Sequence, residues 1–211
     1  MMELYEWPPT RSQRARWALE ELGADYTSHL VDFTKGEQNS AEYREIHPMG
    51  AVPALTTHTY TMFESVAIVL QLIDLHPERN LAPPVGSEMR AIYYQWCIFA
   101  CAELDPAIMM VFDNTMRPLD AMRPAGAAHE EAIAERGRSD FAVRAEILSK
   151  ALYKKKYILG NEFSGADIVV GHSCYMARVT GLITDYPILR AYYGRLRNRP
   201  CHGRIYMEYE D

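Results

Sequence analysis

The chain has 211 residues but only four cysteines, and no two of them form a Cys-x-x-Cys pair. That excludes a disulfide-built scaffold and a dithiol redox motif. Cys97 and Cys101 sit one helical turn apart and read as small neutral core residues before they read as a redox pair or metal ligands; Cys174 and Cys201 are isolated. Long apolar runs are also missing. The longest, Val66 to Leu75, is broken by Gln71 and Asp74, short of the ~18 residues a membrane span needs, so no span is expected. Basic excess is missing too: 22 Lys and Arg against 28 Asp and Glu leave a net charge of −6. No positive field draws in a phosphate backbone, and nucleic acid is not an expected partner. The opening MMELYEWPPT has neither a basic leader nor an apolar core, so no signal peptide is expected, and a reducing cytoplasm is the simplest compartment. There is no glycine-rich phosphate loop and no G-x-S-x-G. His129-Glu130-Glu131 lacks the second histidine of a zinc-protease helix, and no metal is expected.

What is present is an ordinary globular balance, 48% hydrophobic and 24% charged, enough to bury a real core in one large or two small domains. The 14 Tyr and 11 Met supply core filling or an adaptable apolar lining. The first third changes period every few residues. Leu4–Trp7 reads as a strand, broken by Pro8, Pro9 and Thr10. Ala15, Ala18, Leu19 and Leu22 follow at helical spacing, stopped by Gly23. Tyr26–Val31 is a second strand and Glu42–Ile46 a short helix ended by Pro48 and Gly50. Val52–Thr57 and Thr59–Met62 read as two strands on a tight turn, and from Ser65 a helix is apolar nearly all round, as a buried helix is. The order βαβ-α-ββα makes a small α/β unit over residues 1–76. Residues 77–87, with three prolines and a glycine, are the expected linker. Over 88–211 strand signals vanish and helical periods run through Trp96, Phe141, Ile168 and Leu189, with a break expected at Pro106 and a loop at Pro118 to Gly126. No repeat or low-complexity tract interrupts this division.

Three places carry candidate chemistry. Val52-Pro53 opens a strand, where a proline removes a ladder donor. With a cis bond it turns the Val52 backbone toward a ligand; with a trans bond it is an ordinary edge-strand proline. Glu64-Ser65 directly precedes the apolar helix, where free N–H groups and the dipole favour a ligand carboxylate and Glu64 can accept from an ammonium. Plain helix capping explains the same pair. Thr10-Arg11-Ser12 ends at another helix start, a position that favours a thiolate, and a hydroxyl there can donate to a bound sulfur or simply cap the helix. Ser164-x-x-Asp167 is a capping box with a structural role, and Lys154-Lys155-Lys156 a solvated helix end.

Together RARWALEELG (14–23), IHPMGAVPAL (46–55), FESVAIVLQLID (63–74), YILGNEFSGADI (157–168) and YPILRAYYGRLRNRP (186–200) resemble the glutathione S-transferase superfamily, in order and spacing over almost the whole chain. The resemblance implies an α/β plus all-α fold: a thioredoxin-like glutathione-binding domain (1–76), the linker (77–87), and an all-helical domain (88–211) carrying a hydrophobic substrate site. It implies glutathione as co-substrate, held by Val52 beside a cis Pro53 and by Glu64 and Ser65 at its γ-glutamyl end. The protein is then a cytoplasmic homodimer that takes a small hydrophobic electrophile. The catalytic turn departs from the better-known classes; Ser12 is the first candidate for the sulfur, Thr10 the second, with Arg11 an electrostatic helper. Ala51 stands where relatives often have Lys, so the glycine end needs another donor, with Lys35, Gln38 and His47 as candidates. Trp96, Phe99, Glu103 and Met110 border the expected hydrophobic site or belong to core and dimer contacts. The expected reaction is glutathione transfer. A glutathione-dependent isomerase, peroxidase, ether-cleaving or dehalogenating enzyme, or a non-catalytic interaction protein, shares the same fold.

Overall fold

The structure is a computed structural model that describes residues 1–116 and 130–206. The expected loop at 118–126 and His129 lie outside the described residues. The chain divides into two compact units, Met1–Leu81 with Asn198–Asp211, and Ala82–Arg197.

In the first unit β1 (Met2–Glu6), β2 (Tyr26–Leu30), β3 (Ala54–Thr56) and β4 (Thr61–Phe63) form one sheet in the order β2-β1-β3-β4. β1 runs parallel to β2, while β3 is antiparallel to both β1 and β4. Leu4 lies opposite Leu55, and both are fully buried. Above them pack α1 (Ser12–Leu22) and α3 (Ser65–Asp74) through Ala15, Ala18, Leu19, Ile68, Val69 and Leu72, all buried. The α1 stripe follows the 3.6-residue period, and Gly23 ends the helix in the left-handed region at φ 64°. α2 (Ala41–Ile46) is capped by the Ser40 hydroxyl, which accepts from the Tyr43 N–H. Two expectations change here. The strand expected from Val52 begins at Ala54, because Pro53 has no N–H for the ladder. α3 is not buried all round: Ala67 and Asp74 are exposed and Leu70 is half-buried, because the two-layer unit shelters one face only.

The second unit is helical. α4 (Glu88–Phe99), a π-helical turn (Ala100–Leu104) and α5 (Asp105–Thr115) form one continuous run. The break expected at Pro106 becomes this π turn, which widens the ladder just ahead of a ring that cannot donate and would crowd the preceding turn. By length and composition alone the run is long and apolar enough to cross a membrane, which counting apolar residues in series did not reveal. Its buried side chains instead pack on α6 (Glu131–Leu152) and α7 (Gly165–Val179), and its buried Asp105 accepts from the Ser173 hydroxyl at 2.7 Å. Gly137 lets α5 and α6 approach closely: an added Cβ would lie 2.8 Å from the Ala107 carbonyl oxygen.

The N-terminus of α7 is closed by its own residues. Asp167 accepts from the Ser164 N–H and hydroxyl, the Ile158 N–H and, from α8 (Pro187–Arg197), the Tyr192 hydroxyl, all at 2.8–2.9 Å. Chain division at Leu81 and Ala82 falls inside 77–87, but the second unit stops at Arg197. The last helix, α9 (Pro200–Tyr206), packs on α1, because Trp17 offers His202 and Tyr206 an aromatic partner, with ring centroids 5.1 and 5.8 Å away.

Candidate functional site

Three turns of the first unit and a scattered set of side chains make up the candidate site. The first is Val52-Pro53, whose peptide bond is cis. Val52 precedes β3 and takes no part in its ladder, so its N–H and C=O are not spent on the sheet. This loop is set from behind. The Tyr43 hydroxyl donates to the Ala51 carbonyl at 2.6 Å, and burial pushes the Tyr43 phenol well up, keeping it a donor. Gly50 sits at φ 61° with the Gln38 carbonyl so close that a Cβ would collide with it.

The second feature is the start of α3. Glu64 is exposed and holds φ 75°, a region a non-glycine residue adopts at a cost of about 1–3 kcal/mol. It stands at the N-cap position, yet its side chain makes no capping hydrogen bond. The first helical bond runs from the Ile68 N–H to the Glu64 carbonyl, so the N–H groups of Ser65, Val66 and Ala67 lack helical acceptors. Ser65 lies at their head, 5% exposed. Plain capping by Glu64 therefore does not account for this end.

The third is the turn before α1. Ser12 is fully buried, its hydroxyl oxygen 2.8 Å from that of Thr10, accepting from the Trp7 N–H at 3.3 Å and reaching the Trp7 carbonyl at 3.5 Å. Thr10, half-buried, accepts from the Ser12 N–H at 3.2 Å. Arg11 is exposed at the N-cap position. Pro8-Pro9 is a second cis bond among the described residues. Beside this turn Trp7 and Phe33 lie parallel within 2°, centroids 6.2 Å apart and both half-buried; neither was singled out from sequence, since each is a lone aromatic after a strand.

The fourth holds the candidates for the glycine end, which do not gather in one place. Lys35 is exposed and bound to Asp32 at 3.0 Å, which raises its pKa. His47 is 3% exposed, tilted against Phe63 with centroids 4.8 Å apart, and its Nδ1 has no partner among the described residues. Burial lowers its pKa against an opposing pull from Glu64, so the ring is a neutral one, not a surface cation. Gln38 is half-buried, its Oε1 without a partner among the described residues, and its carbonyl lies under Gly50.

The expected apolar-site residues all belong to the second unit. Trp96 is 7% exposed and edge-on to Phe99 at 5.4 Å. Met110 lies against the gap at Gly137, where α5 meets α6. Glu103, in the π turn, pairs with Arg144 at 2.8 Å. Phe99, Met110 and Glu103 reach solvent and Trp96 is core. Sequence reading missed Tyr43 and the strained Glu64 backbone; the tyrosine's only signal was its place one turn before the Pro48–Gly50 break.

Two family models match the chain: "Glutathione S-transferase, N-terminal domain" over residues 1–72 and "Glutathione S-transferase, C-terminal domain" over 105–200. A probable glutathione S-transferase, GSTF2 of Oryza sativa subsp. japonica, is 28% identical over 97% of this chain and 95% of its own. Glutathione S-transferase Z2 of Arabidopsis thaliana is 34% identical over 50% of this chain and 47% of its own. Among solved structures, a sphingomonad glutathione S-transferase complexed with glutathione superposes with a TM-score of 0.82 at 27% identity, covering 98% of each chain. The chain belongs to the glutathione S-transferase superfamily, with that family's thioredoxin-like domain followed by an all-helical one.

Proposed function

We propose that this protein is a glutathione transferase that binds glutathione on its first unit and delivers the thiolate to a small hydrophobic electrophile. The observation that carries the reading is the open α3 N-terminus. Free N–H groups at Ser65, Val66 and Ala67 and the Ser65 hydroxyl suit the γ-glutamyl carboxylate, and the outward Glu64 suits its ammonium. Val52 offers one N–H and one C=O to the cysteinyl backbone, as a short antiparallel strand would. For the glycine carboxylate Gln38 is the best remaining donor, because Lys35 is paired and His47 is neutral and buried.

At the sulfur the order of candidates becomes Thr10 before Ser12. A fully buried Ser12 hydroxyl is better placed to serve Thr10 than a ligand. The Ser12 N–H donates to the Thr10 hydroxyl oxygen, and either hydroxyl of the pair can be the donor to the other; with Ser12 as the donor, the Thr10 hydrogen is free to point outward at a thiolate. The N-terminus of α1 and the exposed Arg11 add positive potential, and each lowers the thiol pKa. The thiol loses its proton to solvent and the sulfur lone pair forms the new S–C bond. With an aryl halide the leaving group departs as halide, so charge and atoms balance. Trp7 and Phe33 supply an apolar shelf beside the turn for the electrophile. The four cysteines, all free, suit a reducing cytoplasm, and a homodimer remains part of this reading.

The test is calorimetric binding of glutathione together with conjugation of a general aryl halide. Thr10→Val is expected to lower kcat/KM at neutral pH by ~10²-fold, and Ser12→Ala by less. Absence of both binding and conjugation in the unaltered protein overturns the reading and leaves the non-catalytic interaction protein. Binding without conjugation points to the isomerase, peroxidase or dehalogenase chemistry of the same site.

A further inference from the structure

We propose that α9 is a clasp on α1, and that Gln13, the residue it grips, is a positioning residue for the Thr10 hydroxyl. The proposal rests on the reading of Thr10 as the group facing the glutathione sulfur. Gln13 is fully buried, and its Nε2 donates to the Ile205 carbonyl at 3.0 Å across 192 positions of sequence. That carbonyl lies in the last turn of α9, where helical acceptors have no donors of their own, so the amide fills a vacancy the short helix cannot fill. The backbone of Gln13 closes the catalytic turn, with its N–H donating to the Thr10 carbonyl at 3.1 Å. One residue therefore joins the end of the chain to the turn that holds Thr10 and Ser12.

The grip is continuous along α1. Trp17 packs edge-on to His202 and Tyr206, which stack on each other at 4.4 Å. At the far end Arg199 forks onto both oxygens of Glu21 at 2.8 and 2.7 Å, with the Glu21 side chain 8% exposed, and Arg204 reaches Glu20 at 3.0 Å. Such bidentate pairs fix direction as well as distance. Gln13 is also a poor residue if stability alone were at stake, because its Oε1 is buried with no partner among the described residues. An apolar side chain of the same size avoids that cost. What the glutamine alone supplies is a directed bond from the clasp to the turn.

The experiment compares Gln13→Leu with Arg199→Gln in the full chain. Arg199 holds the same helix at its other end, forked onto Glu21. Hydrogen exchange is read at the amides of residues 13 and 14, which donate to the Thr10 and Arg11 carbonyls. The expected result is exchange ~10-fold faster in Gln13→Leu and within about twofold of normal in Arg199→Gln, even if the latter melts lower. The acid limb of kcat/KM against pH is expected to move up by about half a unit in Gln13→Leu only, with KM for glutathione nearly unchanged. Equal changes in both variants mean general loosening and overturn the proposal, as does no change in Gln13→Leu. If that variant does not fold, Gln13→Met, closer in shape, carries the same comparison. If the unaltered protein binds no glutathione, the transferase reading fails, while the exchange comparison still decides the clasp.

Discussion

The starts of α3 and α7 pose the same problem with opposite outcomes. Each helix begins beside a serine and an acid, and each exposes N–H groups that need acceptors. At α7 the acid turns inward, and Asp167 gathers four donors, one of them from α8. At α3 the acid turns outward, caps nothing, and holds a backbone conformation that costs free energy. A satisfied helix end adds stability; an unsatisfied one, kept at a cost, is what a ligand site requires. Similar residues thus do structural work in the helical unit and face outward in the α/β unit.

Substitutions can break this contrast at several points. Asp167→Ala is expected to have the largest effect, destabilising the protein by ~3 kcal/mol in urea titrations, since it orphans four buried donors at once. Glutathione affinity measured well below the melting point should stay normal; a specific loss of binding contradicts the structural role. Gly50→Ala comes next at ~2 kcal/mol, because it needs a positive φ and collides with the Gln38 carbonyl. It should weaken both the melting temperature and glutathione binding, the mark of a residue that holds the Val52 loop. Ser65→Ala is the sharpest probe: about tenfold weaker glutathione binding at an unchanged melting temperature. A fall in melting temperature with binding intact would make α3 a second capped helix and erase the contrast.

The smallest effect concerns pH. Burial depresses the His47 pKa, so the folded state resists protonation while the unfolded chain titrates near ~6.5. The stabilising contribution is whole above the unfolded value and is lost as pH falls through it toward the folded one. His47→Gln should flatten the decline of melting temperature below about pH 6.5. An unchanged slope shows that the ring is protonated in the fold after all.

Much of this was legible in the residues because the signals are local. Ala15, Ala18, Leu19 and Leu22 declare α1 by period alone, and Ser164-x-x-Asp167 declares its own helix start within four residues. Glu64-Ser65 taken alone read as a plain cap, with the ligand site implied by the resemblance, because a side chain's direction depends on a φ angle that residue identity does not dictate. Ser12 ranked above Thr10 by helix register, and only burial exchanges them in the proposed site. Trp96 read as pocket lining or as core, and its side chain is buried; helical period shows which face is apolar but not what covers it.

Composition and pattern by themselves determined the order of strands and helices and the family, because hydrophobic period, turn residues and caps act within a few positions along the chain. Contacts between distant residues needed the tertiary structure: the Tyr43 hydroxyl on the Ala51 carbonyl, the Gln38 carbonyl beneath Gly50, and Gln13 bound to Ile205 from the opposite end of the chain. Those contacts join segments whose proximity only the packed core creates. No local preference encodes whether a polar group finds its partner inside the fold or is left facing outward.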